Sequence, residues 1–273
     1  MTFSLIRQTT TYFRLARFVL HLIYGLLLAI PFPVLGAQTQ RYILRLWSRQ
    51  LLEVMNVKIT QAPKFNEISA GMVVANHISW IDVCVLNTIV PTRFVAKAEL
   101  RTWPIIGWLC SRAQTLFIER GKARAAARIN LEVVEQIKEG FQFSVFPEGT
   151  TTDGSYVAAF HSSLLQPAVD AGVMVQPLAL TYFDADGERS VVAPYVGEMT
   201  FVASLWLMLS APSLQVQVLA TAELNAAEMD RRQLAQAAKL QIEAALSRVV
   251  ATEDVEAFID SSYSLNSCAT SGS

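Results

Sequence analysis

The residues that carry the most chemistry in this 273-residue chain are His77 and Asp82, five positions apart in VVANHISWIDV. An imidazole titrating near neutrality can act as a general base, and a nearby carboxylate can fix its tautomer and stabilise the imidazolium formed on proton abstraction. A hydroxyl attacking an activated acyl group needs such a dyad and no cofactor. The same residues admit an architectural reading. Ser79 followed three positions later by Asp82 fits a capping box, with His77 filling the preceding turn. The two readings coexist if the helix start carries the carboxylate back toward the ring.

Other polar groups also follow apolar runs. FIERG offers Glu119 and Arg120, where a guanidinium suits a phosphate as well as a surface ion pair. FPEGTTTDG places Glu148, Gly149 and Thr150 in a turn punctuated by Pro147 and Gly154. Gly149 to Ser155 lacks the lysine of a phosphate loop, so nucleotide binding is rejected. His161 sits beside Ser162 and Ser163 without the G-x-S-x-G elbow of a serine hydrolase, which suits a loop or a channel wall. Lys97 is either a solvated charge or, at a strand end, a ligand for an anion.

Short apolar runs that read as buried strands must position these groups: 71–77, 92–99, 114–120, 141–149 and 173–183. Between the third and fourth, an alanine-rich stretch with Ile129, Val133, Val134 and Ile137 ends at Gly140 and predicts a helix. Alternating strands and helices indicate an α/β domain. Open α/β sheets bind ligands beyond the carboxyl ends of their strands. If the strands ending at Asn76-His77, Glu119-Arg120 and Pro147-Glu148 run parallel as neighbours, their polar groups meet on one rim. TFVASLWLMLSAP (200–212) is too short to span a bilayer and reads as a core element or a further membrane contact.

Composition narrows the function classes. Hydrophobic residues make up 52% and charged residues 16%, below the roughly 25% of ordinary soluble domains, which suggests a lipid-facing surface. A net charge of −1 without a basic block argues against nucleic acid. Cys84, Cys110 and Cys268 have neither disulfide parity nor metal-ligand spacing. Near the amino terminus, Arg7, Arg14 and Arg17 precede the apolar run FVLHLIYGLLLAIPFPVLG, close to the ~20 residues of a membrane span. Pro31 and Pro33 cut a regular helix short near Ile30, so a hairpin, a one-leaflet anchor or a kinked span is expected. A signal peptide is the rival, although no A-x-A cleavage site is clear. His21 reads as a packed or interfacial histidine. The expected division is an anchor at 1–40, a catalytic domain at 41–250 and a disordered Ser-rich tail at 251–273.

In order and spacing, NHISWID, FIERG, FPEGTTTDG and VQPLAL resemble the four motifs of the glycerolipid acyltransferase family, over roughly residues 70–182. The best-known members acylate lysophosphatidic acid. The resemblance implies a catalytic dyad of His77 and Asp82, an acceptor phosphate or other polar head on Arg120, and an acceptor site shaped by Glu148 and Gly149. Pro177 matches the fourth motif, associated with the acyl chain. A mixed, largely parallel sheet flanked by helices, with an N-terminal membrane-associated segment, is implied too, as is acyl-CoA or acyl carrier protein as donor. No metal or other cofactor is expected, and the active site would face the cytoplasm at a bacterial inner membrane. Oxyanion donors are sought among backbone amides near Gly149. Many relatives read FPEGTRS, whereas Thr151 stands here in place of the arginine. FPEGTTTDG, with SSLL, looks more like bacterial lyso-ornithine lipid acyltransferases and the lysophospholipid acyltransferases that handle zwitterionic heads. A non-catalytic lipid-binding protein is the reading from another class.

Overall fold

The computed structural model describes residues 2–64, 68–69, 71–119 and 123–249. Arg120, Cys268 and the Ser-rich tail, on which expectations were placed above, lie outside the described residues. The chain opens with helix α1 (Thr2–Ala29), which stops just before Pro31, as the two prolines require. After a 3-10 turn at Phe32–Val34 comes α2 (Ala37–Met55), closed by Asn56 in the left-handed conformation. A division at residue 40 therefore falls inside α2, and α1 and α2 pack on one another.

Strand β1 (Val57–Gln61) and β2 (Met72–Ala75) precede the short helix α3 (Asp82–Ile89). There follow β3 (Arg93–Lys97), α4 (Ile106–Arg112), β4 (Leu116–Ile118), α5 (Ala123–Lys138) and β5 (Phe143–Val145). The chain continues through α6 (Gln166–Ala171), β6 (Met174–Phe183), α7 (Phe201–Ser210), β7 (Leu214–Ala220) and β8 (Leu224–Asn225), and residues 231–249 form α8. Every expected strand is present, several trimmed at their ends. The run expected at 141–149 keeps strand geometry only to Val145, because the chain turns back at once: the Gly149 N–H donates to the Phe146 carbonyl at 3.0 Å.

Among the described residues the eight strands form one sheet, in the order β1-β7-β6-β2-β5-β3-β4 with β8 on β6. From β6 to β4 neighbouring strands are parallel, while β7 runs antiparallel to β6. The carboxyl ends of β2, β5, β3 and β4 consequently share one rim. The expected neighbours are confirmed with one insertion: β3, bringing Lys97, lies between β5 and β4.

Alternation along β2 shows how the two faces are covered. Val73 and Ala75 pack with α2, α3 and α7, whereas Met72 and Val74 pack with α5, α6 and α8. All four are fully buried, as expected of a parallel strand covered on both faces. The 200–212 stretch supplies the expected core element on one face of α7. Leu205, Met208 and Leu209 on α7 are core, while Val202, Trp206 and Leu207 face outward. Arg14 of α1 donates to the carbonyls of Leu209, Ala211 and Pro212 and so fastens α1 to the end of α7. His21 is packed as expected, stacked on Trp47 at a ring separation of 4.9 Å.

Candidate active site

The site begins where β2 ends. The β2–β6 ladder runs to the pair Ala75 and Leu178, and Asn76 then continues it with its side chain. Its Nδ2 donates to the Leu180 carbonyl at 3.0 Å and its Oδ1 accepts the Leu180 N–H at 2.8 Å. The chain leaves the sheet at a point held by two hydrogen bonds. The next residues turn over the start of α3, and the turn is organised around Asp82, which has no exposed surface.

Asp82 Oδ2 accepts the N–H groups of Ile78 at 2.7 Å and Ser79 at 2.9 Å, and lies 2.8 Å from His77 Nδ1. Its other oxygen, Oδ1, accepts the Tyr182 hydroxyl at 2.6 Å. One carboxylate thus performs both roles read from the sequence. It reaches back to the Ser79 amide as in a capping box, and it also holds the imidazole. Only half of the box forms, since the Ser79 hydroxyl is buried without a protein partner. A carboxylate accepting from Nδ1 fixes the proton there and leaves Nε2 as the basic nitrogen. Phe146 stacks on the imidazole at 4.0 Å between centroids and 11° between planes, which fixes the ring's tilt.

The loop after β5 closes around this turn. Glu148 is 3% exposed; its Oε1 accepts the His77 N–H and its Oε2 the Ala158 N–H, each at 2.7 Å. Burial raises its pKa, against the pull of those two amides. The Thr152 N–H donates to the His77 carbonyl at 2.8 Å, the Tyr195 N–H to the Ile78 carbonyl at 2.9 Å, and the Thr151 hydroxyl to the Tyr195 carbonyl. Two segments distant in sequence, the 148–152 loop and the one at Tyr195, are therefore stitched to the backbone of the His77 turn. Gly149 adopts φ +64°, a conformation that favours glycine. Its amide is committed to Phe146, so it is not the free oxyanion donor sought there.

His77 opens onto a cavity of about 590 Å³. Its apolar walls come from Phe18, Leu22 and Leu28 of α1, Leu44 and Trp47 of α2, and Ile106 and Leu109 of α4. Its polar lining includes His77, Lys97, Glu99, Thr150, Thr151 and Tyr195. A largely apolar cavity with an imidazole in its wall can hold a hydrocarbon chain with its reactive end at the base. Burial pushes the Cys84 thiol up to about 12 and the Cys110 thiol up to about 11, which leaves neither poised as a nucleophile. Among the described residues no group of His, Cys, Asp and Glu is placed to hold a metal ion.

Of the residues singled out from sequence, His77, Lys97, Gly149 and Thr150 line the cavity, and Asp82 lies directly behind His77. Glu148 is turned inward onto backbone amides and does not line it. Pro177 is buried in β6 opposite Val74, away from the cavity, and its carbonyl accepts from Thr221. Exposed Glu119 ends the described part of the rim beyond β4, next to Arg120, which lies outside the described residues. His161 is exposed at the head of a 3-10 turn. Sequence reasoning missed Tyr182, Phe146, Tyr195 and Trp80, the last lining the cavity with its Nε1 donating to the Ser204 hydroxyl; all sit in ordinary apolar or loop contexts. The walls from α1 and α2 had a signal, the amphipathic pattern of α2, that was not connected to the site.

Comparison with known proteins gives three kinds of match. A family model described as Acyltransferase matches residues 56–181. The chain is 38% identical over 173 residues to a lyso-ornithine lipid O-acyltransferase of Pseudomonas aeruginosa, covering 63% of this chain and 66% of that protein. It is 35% identical over 182 residues to a 1-acyl-sn-glycerol-3-phosphate acyltransferase of Neisseria gonorrhoeae, covering 67% and 70%. The matched part thus spans about two thirds of these relatives. The crystal structure of the 1-acyl-sn-glycerophosphate acyltransferase PlsC from Thermotoga maritima superposes with a TM-score of 0.57 at 20% identity, over 87% of this chain and 98% of that one. At that identity the likeness concerns the fold.

Proposed function

Because the chain belongs to the acyltransferase family, we propose that it moves a fatty acyl group from a thioester donor to the free hydroxyl of a lysolipid, with His77 as general base. The observation that carries this reading is the contact of buried Asp82 with Nδ1 of His77, which lines a largely apolar cavity. His77 Nε2 takes the proton of the acceptor hydroxyl as its oxygen attacks the thioester carbonyl. The tetrahedral oxyanion collapses with cleavage of the C–S bond, and the leaving thiolate takes the proton from His77. Asp82 stabilises the imidazolium in between. Acyl-CoA or acyl carrier protein is the donor, and no metal or other cofactor takes part.

The acceptor expected from the family's best-known members is 1-acyl-sn-glycerol-3-phosphate, which would give phosphatidic acid, with Lys97 and Arg120 on the phosphate. A second reading, lyso-ornithine lipid, is favoured by one observation. The charged side chains on the described cavity wall are Lys97 and Glu99, one of each sign, and Thr151 stands where an arginine would add a positive charge. A balanced pair suits a zwitterionic head better than a phosphomonoester.

The membrane supplies the acceptor in either reading. Gln8–Ala29 of α1 is long and apolar enough to cross a membrane, and Leu20, Ile23 and Leu27 face outward while its other side walls the cavity. That double use supports a retained anchor over a removable leader, with the site at the cytoplasmic face of a bacterial inner membrane.

Acyl transfer by purified protein in detergent tests the reading. Each acceptor is offered separately with each donor type, and His77→Ala serves as control. Thiol release that depends on acceptor and is lost in folded His77→Ala supports it. Tight lipid binding without turnover would leave a non-catalytic lipid-binding protein.

A further inference from the structure

Resting on the reading of His77 as general base, we propose that Tyr182 is a positioning residue of the reaction: its phenol, donated to Asp82 Oδ1, keeps that carboxylate anionic and aimed at His77. The hydroxyl lies 2.6 Å from Oδ1, and Tyr182 itself is 3% exposed. The two oxygens of Asp82 have separate duties. Oδ2 already accepts from Ile78, Ser79 and His77, whereas Tyr182 serves Oδ1. A carboxylate removed from water stays ionised only where donors replace its hydration, so the oxygen facing away from the histidine matters as much as the one facing it.

The fold delivers the phenol to this point by strand periodicity. Asn76 pins β6 at Leu180, and side chains two apart share a face, so Tyr182 points to the same side as Leu178 and Leu180, under the start of α3. Across β7 its partner in register is Val216, also buried. Burial, and then the Asp82 charge, hold the Tyr182 phenol well above its ordinary pKa, so it remains a donor throughout the working range. The titratable groups facing this centre are His77 and Asp82 themselves, Cys84 of α3 and Glu148 of the loop after β5.

Steady-state pH profiles of wild type, Tyr182→Phe, a chain carrying 3-fluorotyrosine at 182, and Val216→Ala test this. Tyr182→Phe is expected to lower kcat about tenfold with KM unchanged. Its acid limb should move to higher pH, because a carboxylate deprived of a donor holds a proton more tightly. The fluorinated phenol, a stronger donor, should move the limb to lower pH. Val216→Ala should lower the melting temperature and leave the limb in place. A folded Tyr182→Phe with the wild-type profile overturns the proposal; should that variant not fold, an unmoved limb with 3-fluorotyrosine does so. Absence of wild-type turnover would instead count against the acyl-transfer reading. The His77 ring resonances followed against pH then decide the question without turnover: curves that differ between wild type and the position-182 variants sustain the link, and coincident curves refute it.

Discussion

The N–H of His77 donates to Glu148 Oε1 at 2.7 Å, joining the end of β2 to the loop after β5 through a buried carboxylate. The other oxygen of that carboxylate accepts from Ala158. A glutamate assigned by motif to the acceptor site therefore sits behind the His77 turn. It fixes where the His77 backbone sits, while Asp82 fixes how the ring is turned.

Glu148→Gln puts an amide N–H₂ against one of those two backbone N–H donors and should destabilise the protein by about 1–3 kcal/mol. The pH dependence has a definite sign. Burial raises the Glu148 pKa above 4.5, so the folded chain holds the proton more readily than the unfolded one. Wild-type stability relative to the variant is therefore highest below about 4.5 and declines as pH rises through the raised native value. Urea unfolding of both proteins at several pH values checks it; a gap that widens with rising pH would be inconsistent.

Asp82→Asn places one amide N–H₂ in a shell of four donors: His77 Nδ1, two backbone amides and the Tyr182 hydroxyl. At least one donor loses its acceptor, and the imidazolium loses its counter-charge. We expect kcat to fall about 10²- to 10⁴-fold, with a stability loss of about 1–3 kcal/mol. Thiol release and thermal unfolding read the two effects separately. Near-wild-type kcat would remove Asp82 from the mechanism.

Thr151→Arg introduces a guanidinium into a cavity wall that also carries Lys97. A charge-assisted hydrogen bond contributes about 1.5–3 kcal/mol, so the kcat/KM ratio of 1-acyl-sn-glycerol-3-phosphate over lyso-ornithine lipid should rise about ten- to a hundredfold. Loss of the Thr151 bond to Tyr195 should slow both acceptors, which is why the ratio is the readout. An unchanged ratio would show that position 151 does not meet the head group.

Removal of residues 1–36 strips Phe18, Leu22, Leu28 and Phe32 from the cavity wall together with the outward apolar face of α1. Thiol release should be lost with every donor, and the remainder should aggregate on gel filtration through the uncovered sides of α2 and α7. A monodisperse, active 37–273 fragment would show that α1 is an anchor alone.

The site was legible wherever local sequence carries its own physics. The spacing from His77 to Asp82 is short enough for one helix start to close it, and apolar runs ending in polar groups point to the carboxyl rim of a parallel sheet. Proline chemistry at Pro31 and Pro33 likewise set the end of α1. That Glu148 turns onto backbone amides and Pro177 is buried in β6 was not legible, because a motif records which residues recur, not which way a side chain turns.

The sequence by itself determined the α/β class, the pairing of His77 with Asp82, the apolar N-terminal helix and the family. Tertiary structure decided what a linear pattern has no means to encode: that β3 lies between β5 and β4, that α1 walls the cavity, and that Tyr182, a hundred residues away, completes the shell of Asp82. The physical reason is that a buried carboxylate must find its donors wherever strand pairing brings them, and Tyr182 reaches Asp82 only through the β2–β6 register that Asn76 secures.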